Sequence, residues 1–487
     1  SGCRSTATGQ PAAEALAQQL QGLGIDDFFA ASWKALLLRD PETVVAYGLA
    51  RPYGLDKPVL TDISDAYIRE TYRMVATILE RLRQYDRASL AAGQQTSYDV
   101  YEWYLDDLAR QQAFMYYDYP VTFLTTTSVH TMTMHFFTQL HPLAGKRDAE
   151  DYVARLGRVD AKFAQLREGL RLRREAGIVP PRFALQWALP GVEELADAVP
   201  TQTPYYQALE EKLNALRDIT ASEKLALLRS AESAIDQSVL PAYRSLARDL
   251  RRLIAVAPTD VGVAQYPDGD AYYTYLLRHY TTADVTAEEV HQLGLRELDR
   301  IHAEMRTIFD QLGYPKTETL PRLFDRVAEA GGSVPAKEVI GTYEAILREA
   351  DARLTAAFSK RPAAAVVVAQ GPLSGVYEAP AFDGSRPGTF WAGPATRSEA
   401  RFAMPTLAYH EAVPGHHLQI AYPQDSGPLF RQIVSFGSYT EGWALYAERL
   451  AWELGWYEGD AYGTLGPLQA EAYRAARLVV DTGLHAT

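Results

Sequence analysis

The chain has one cysteine in 487 residues, Cys3, so no intrachain disulfide can form and the fold must rest on buried apolar surface. Long apolar runs are missing as well. No stretch approaches the ~18 residues a membrane-spanning helix needs. Positive charge is in deficit, with a formal net charge of −13. Holding nucleic acid requires a basic face that neutralises phosphates, so nucleic acid is excluded as a partner. There is no block of five or more like charges, no low-complexity tract, no internal repeat and no linker long enough to divide the chain. Strand signals are few.

What is present is a 47% apolar composition with 30 tyrosines and 7 tryptophans, enough for a large core. The aromatics are read first as core residues and second as surfaces lining a cavity. Helical periodicity dominates. From Ile63, the positions Tyr67, Met74, Val75, Ile78, Leu79 and Leu82 share one face. Leu156, Val159, Phe163, Leu166 and Leu170 repeat at spacings of three and four, and the pattern stops at Gly177 and Pro180-Pro181. Another helix opens at Thr286 with a capping box to Glu289 and runs through Val290, Leu293, Leu298, Ile301 and Met305. Helix-like stretches also cover roughly 204–255, 336–359 and 439–480. Two short β-branched runs, "AAAVVVAQ" (363–370) and "GTFWAG" (388–393), lie between Gly/Pro-rich turns. The expectation is a mainly α protein: one large helical domain over 11–487 after a short tether, with a small β element ahead of the segment that carries the chemistry.

That segment is "AYHEAVPGHHLQI" (408–420), holding three of the ten histidines. A zinc hydrolase needs three protein ligands, an open position for water and a carboxylate to take the water's proton. On a helix, histidines at i and i+4 face one ion, with a glutamate at i+1 beside the water. Here His416 follows His410 by six residues and His417 by seven. In an unbroken helix His410 and His416 would sit about 120° apart, and His417 two turns away. Pro414 lacks an N–H and clashes with the carbonyl four residues back, and Gly415 reaches backbone angles closed to other residues. If two residues loop out, His416 takes the i+4 place; if three do, His417 does. His416 is preferred, because Gly415-His416 resembles the Gly-His that closes the motif of several helical zinc peptidases. His417 is then a supporting or substrate-contacting group.

The third ligand is sought on the helix-patterned "SYTEGWALYAERL" (438–450). Glu441, in "TEGW", resembles the ligand of glutamate-type zincins, and a first-turn glutamate favoured by the helix dipole is the plain alternative. Glu448 shares its face and is read as supporting a ligand or solvated. His130, His135, His141, His279, His291 and His302 are read as structural or surface residues.

The chain resembles the DUF885 family of bacterial proteins, many of them lipoproteins, which are grouped with the zincin metallopeptidases. The resemblance runs through "RLGRVDAKFAQLREGLRLRREAGIVPPR" (155–182), "YPDGDAYYTYLLRHYTTADVTAEEVHQLGLRELDRI" (266–301) and "YEAPAFDGSRPGTFW" (377–391). It continues in "YHEAVPGHHLQ" (409–419), "EGWALYAE" (441–448) and "YRAARLVVDTGLHA" (473–486). It implies a helical zincin-like fold with a deep cleft and a peptide substrate. Zinc would be held by His410, His416 and Glu441, with Glu411 as general base. Donors to the developing oxyanion are sought in His485, Tyr473 and Arg477. His485 is the first choice by chemistry, with a terminal loop histidine as the alternative. Arg386, in "DGSRPG", is a candidate for a substrate carboxylate or an ordinary turn residue, and the strand at Gly388–Trp391 a candidate to pair with substrate backbone. A zinc amidase on another amide, and a non-catalytic peptide-binding lipoprotein, are the alternatives. Glu411 argues against the latter, since a pure binder needs no base.

At the N-terminus, "SGCRSTATGQPAA" resembles the end of a bacterial lipoprotein signal, with Cys3 as the lipidated residue and 1–10 as a tether. The expectation is an exported envelope protein that meets the membrane only through that lipid. Family members usually continue past "DTGLHA", so this chain is read as incomplete at its C-terminus.

Overall fold

A computed structural model describes residues 12–124, 126–371, 374–422 and 427–486. Cys3 and the tether lie outside the described residues. Helix accounts for 67% and strand for 4%, so the chain is mainly α. Where the sequence reads as one domain, the described chain forms two compact units. One comprises residues 12–261 with 265–272, the other 262–264 with 273–486. No described helix is long and apolar enough to cross a membrane.

In the first unit the tyrosines serve the core and keep their hydroxyls paired. Tyr152 Oη donates to Tyr205 O (2.8 Å), Tyr205 and Tyr243 share a hydroxyl–hydroxyl bond (3.0 Å), and Tyr243 Oη donates to His130 O (3.2 Å). All three rings are fully buried. A hydroxyl without such a partner would make burial costly. The helix Val159–Glu175 stops as its sequence says. Gly177, at φ +81°, takes the left-handed turn, while Gly177 N–H and Ile178 N–H return to Arg174 O and Arg173 O. The 204–255 stretch resolves into helices Pro204–Ala215, Ala221–Ala234 and Leu240–Val256, the last two joined by a π-helical turn.

Two histidines of this unit report on acid stability. His141 is buried, with Nε2 2.7 Å from Arg155 Nη1 and Nδ1 2.8 Å from Pro142 O. This fits a neutral ring that accepts from the guanidinium and donates to the carbonyl. Burial, with Arg155 adding to it, pushes its pKa down to about 3, and burial pushes that of His130 down to about 4. Both are depressed relative to the unfolded ~6.5. Below that value the unfolded chain therefore binds more protons than the native one, and stability falls as pH falls from ~6.5 toward 4. Each site contributes at most ~1.4 kcal/mol per pH unit. Denaturant titrations of His141→Gln at pH 7 and pH 5 are expected to show a shallower loss than wild type, by about one proton's slope. An unchanged slope would remove His141 from the acid response.

The second unit carries the histidine segment. Its long helix Ala287–Gln311 opens with the capping box read from sequence: Glu289 N–H donates to Thr286 Oγ1, and Thr286 N–H to Glu289 Oε2. It packs against Leu465–His485. Gly294 permits the close approach, because a Cβ there would lie 2.9 Å from Ala475 O. A three-stranded sheet has Gly388–Ala392 at its centre, parallel to Val366–Ala369 and antiparallel to Ser374–Glu378. The first two are the runs read from sequence. The third escapes the pattern because a bulge at Gly375, φ +75°, breaks its alternation. This corrects the expected docking edge: Gly388–Trp391 is bonded on both sides, and the outer strands of the sheet are Val366–Ala369 and Ser374–Glu378.

Candidate metal centre

The helix Met404–Glu411 starts with Pro405, where a missing N–H costs nothing, and ends at the two residues that matter. The backbone then leaves the helix through Ala412–Gly415 and re-enters it at His416–Ala421. Ala412 O, which a continuous helix would pair with residue 416, accepts from His417 N–H (3.0 Å) and Leu418 N–H (3.4 Å) instead. The bond to Leu418 is the two-residue slip that brings His416 into the i+4 place. The crossing is tight. A Cβ on Gly415 would lie 1.8 Å from His410 O and 2.3 Å from Tyr409 O, so only glycine fits. Trp443 Nε1 donates to Pro414 O (2.9 Å), pinning the loop to the helix Gly437–Glu453. Gly415→Ala is therefore expected to lower stability by roughly 1–3 kcal/mol and to weaken metal binding with it. A melting scan with and without zinc checks both; an unperturbed melt would mean that the loop yields freely.

The slip gathers donors. Ligand atoms of His410, Glu411 and His416 lie within 4.8 Å of one another, and all three residues are buried. The two imidazoles meet edge to face, 4.7 Å between centroids. Glu441 arrives from the next helix with Oε2 3.4 Å from His410 Nε2 and Oε1 3.6 Å from His416 Nε2. Its side chain is 66% exposed, so the cluster opens to solvent on that side.

On the far side of His410, Nδ1 lies 2.7 Å from Glu448 Oε1, a carboxylate that is fully enclosed. Arg474, from the helix Leu465–His485, donates to the same oxygen (2.9 Å) and packs against Nδ1. With Nδ1–H donating to Glu448, His410 Nε2 carries a lone pair and faces Glu441 oxygen and His416 Nε2. In that tautomer three acceptors converge, an arrangement that a cation satisfies, either a metal ion or the second proton that His410 holds in its absence. Four-coordinate sites with ligand distances of ~2.0–2.1 Å have ligand–ligand edges of ~3.3–3.4 Å. The spacings of 3.4 and 3.6 Å match those edges. A zinc-type ion thus fits this donor set.

The proton equilibria of the metal-free cluster carry the same message. Burial works against a charged His410, but the carboxylates of Glu441 and Glu448 overcome it and hold its pKa at about 9. Burial and the neighbouring His410 charge push His416 down to about 4. Burial raises Glu411 to about 7, with Glu441 and Glu448 adding to it. The bond to His410 lowers Glu441. One positive charge is stabilised among these groups, and a proton on His410 supplies it when no metal does.

The other sequence candidates divide. His417 is tied at both ring nitrogens, Nδ1 to Tyr377 Oη (2.8 Å) and Nε2 to Ala364 O (3.1 Å). Burial lowers its pKa to about 4, so it is a neutral strut between the loop and the sheet, not a group free for substrate. Gly388 leaves room for it, since a Cβ there would lie 2.8 Å from its Nδ1. Tyr377 also stacks on His416, 6.4 Å between centroids. Arg386 lies within the 381–386 turn, 4.0 Å from Glu378, in keeping with its turn reading. His485 accepts from Val263 N–H (3.1 Å) and stacks on Tyr273 (5.7 Å). It stands eleven residues beyond Arg474, about 16 Å along the helix. Tyr473 and Arg477 are exposed, the guanidinium lying over the ring. The C-terminal helix therefore delivers Arg474 to the cluster, a residue the sequence reading passed over. Gly375 was missed too, and a Cβ there would come within 3.4 Å of Glu411 Oε1.

A mainly helical unit with a buried His-Glu and His held around one point defines a candidate metal-site protein of the helical class. The profile of the family described as "Bacterial protein of unknown function (DUF885)" matches residues 41–487, and the chain belongs to that family. Among solved structures it is similar to one described as "the putative lipoprotein from Colwellia psychrerythraea". That match has a TM-score of 0.88 and 26% identity, covering 96% of this chain and 84% of the other. It shares its fold with a "putative lipoprotein of unknown function from Shewanella oneidensis", at TM-score 0.67 and 17% identity, over 95% of this chain and 84% of that one. No curated protein matches the chain.

Proposed function

We propose that the chain is a zinc-dependent peptidase that hydrolyses short peptides, built on a helical zincin-like unit with a substrate cleft. One observation carries the reading: His410 Nε2, His416 Nε2 and the Glu441 carboxylate converge at 3.4–3.6 Å with Glu411 beside them. His410, His416 and Glu441 are the residues that would hold the ion. Bound zinc supplies a Lewis acid that polarises a carbonyl and lowers the pKa of water.

The chain's own groups do the rest. Glu411, buried and with its pKa raised toward neutrality, takes the proton from the attacking water and passes it to the leaving amine. Glu448 holds the tautomer and orientation of His410, and Arg474 donates to Glu448 in its enclosed place. The strand Ser374–Glu378 supports an extended substrate, because it is an outer strand of the sheet and its Gly375 abuts Glu411. The likeness to structures described as lipoproteins, together with the Ser-Gly-Cys start, supports export and lipidation at Cys3.

The test is elemental analysis of the purified protein, followed by digestion of a peptide library by wild type and by Glu411→Ala. Zinc near one equivalent, with cleavage by wild type alone, is expected. A metal-free protein that cleaves nothing after zinc is added would overturn the reading.

A further inference from the structure

We infer that one end of the first unit docks on a lipid surface through a guanidinium cavity and an exposed aromatic triad. This does not rest on the metal centre. A cavity of ≈ 380 Å³ between helices Val159–Glu175 and Leu240–Val256 is lined by Arg167, Arg171, Arg174 and Arg252, with Asp249 and Glu168. Asp249 holds Arg167 (2.5 Å) and Arg252 (3.4 Å), and Glu168 holds Arg171 (2.7 Å). Arg174 has no ion pair among the described residues. Glu175 also holds Arg171, so four guanidiniums meet three carboxylates, and the remaining positive charge runs against the field of a chain whose overall charge is −13. Guanidinium groups bind phosphate oxygens through paired, charge-assisted hydrogen bonds.

The same end of the unit exposes apolar rings. Val256 lies one turn beyond Arg252 and is exposed. The chain after it is tied to the next helix, Arg182 N–H donating to Pro258 O (2.8 Å) and Arg182 Nη2 to Ala257 O (3.0 Å). From there Phe183 and Trp187 project one turn apart on the helix Arg182–Ala196 and meet Phe123. Ring centroids are 5.4 Å (Phe183–Trp187), 5.1 Å (Phe123–Trp187) and 6.0 Å (Phe123–Phe183). Trp187 is 65% exposed, and Leu124 beside the triad is half exposed. Large rings left in water at one place mark a contact surface.

The two features together select the occupant. A soluble phosphate-bearing ligand would use the arginines and leave the aromatics without a role. At a bilayer, Trp and Phe enter the boundary between headgroups and acyl chains while arginines pair with headgroup phosphates.

The experiment uses the full chain as Cys3→Ser, so that no acyl anchor contributes. It is floated with vesicles of phosphatidylethanolamine and phosphatidylglycerol, and with vesicles of phosphatidylcholine alone. Binding to the anionic vesicles is expected, with weaker binding to the zwitterionic ones. Trp187→Ser with Phe183→Ser should cut the partition coefficient on both by about tenfold. Arg174→Gln, which breaks no ion pair and so leaves the fold intact, should cut it on anionic vesicles only, by a factor of a few. Three results would overturn the inference: no flotation with anionic vesicles, equal flotation of the aromatic double variant, or release by glycerol phosphate at matched ionic strength. The last would assign the arginines to a soluble phosphate compound.

Discussion

Replacing His416 with alanine is expected to strip the protein of stoichiometric zinc, while His417→Ala keeps it. The two residues are neighbours in sequence, so composition and overall charge change alike. They differ in what they face. His416 Nε2 points at Glu441 and lies with His410 in the acceptor cluster. His417 is committed to Tyr377 and Ala364. Removing a ligand should cost more than the ~10–100-fold in metal affinity that loss of an outer partner such as Glu448 costs. His417→Ala should instead loosen the loop and lower the melting temperature with the metal content near one equivalent. Elemental analysis of both purified variants checks this, and the opposite pattern would hand the ligand role to His417.

Glu411→Gln should retain zinc and the wild-type melt, yet lose peptide hydrolysis by ~10²–10⁴-fold. Glutamine preserves shape and burial but cannot accept the water's proton. The carboxyl is enclosed, and burial raises its pKa toward neutrality, the direction that suits a group exchanging protons. Steady-state cleavage of the best library peptide separates the possibilities: a fall in kcat with little change in KM removes a step, not a contact. Hydrolysis by the variant at the wild-type rate would exclude the mechanism proposed here.

Local signals in the sequence carried much of the fold. The capping box at Thr286, the glycine stop at Gly177 and the β-branched runs at 363–370 and 388–393 are each written within a few residues, and each stands in the structure, the runs as strands Val366–Ala369 and Gly388–Ala392. The strand Ser374–Glu378 was not legible, because its bulge at Gly375 erases the alternation that marks a strand. The division into two units was not legible either, since it depends on which helices pack together and not on any linker. At the candidate site, a break at Pro414 and Gly415 could be argued from backbone geometry, but whether two or three residues loop out could not, and the preference for His416 came from the likeness of Gly415-His416 to the Gly-His of helical zinc peptidases. Arg474 could not be found this way. Its contact with Glu448 and His410 joins residues 26 and 64 positions apart, and nothing local to "YRAAR" sets it apart from Arg477. The choice of His485 followed chemistry without position, and its ring is engaged with Val263 and Tyr273.

The bond from Trp443 Nε1 to Pro414 O has a mechanical consequence. The loop between His410 and His416 and the helix bearing Glu441 are separate pieces of chain, and each alone would fluctuate independently. The indole, two residues after Glu441, clamps the loop at the peptide just before Gly415. Displacements of one element are therefore handed to the other, so the three converging side chains travel together and keep their mutual spacing. The spacing of the donors is thus set by one shared hydrogen bond as well as by each helix, on the side of the cluster away from the exposed Glu441 carboxylate.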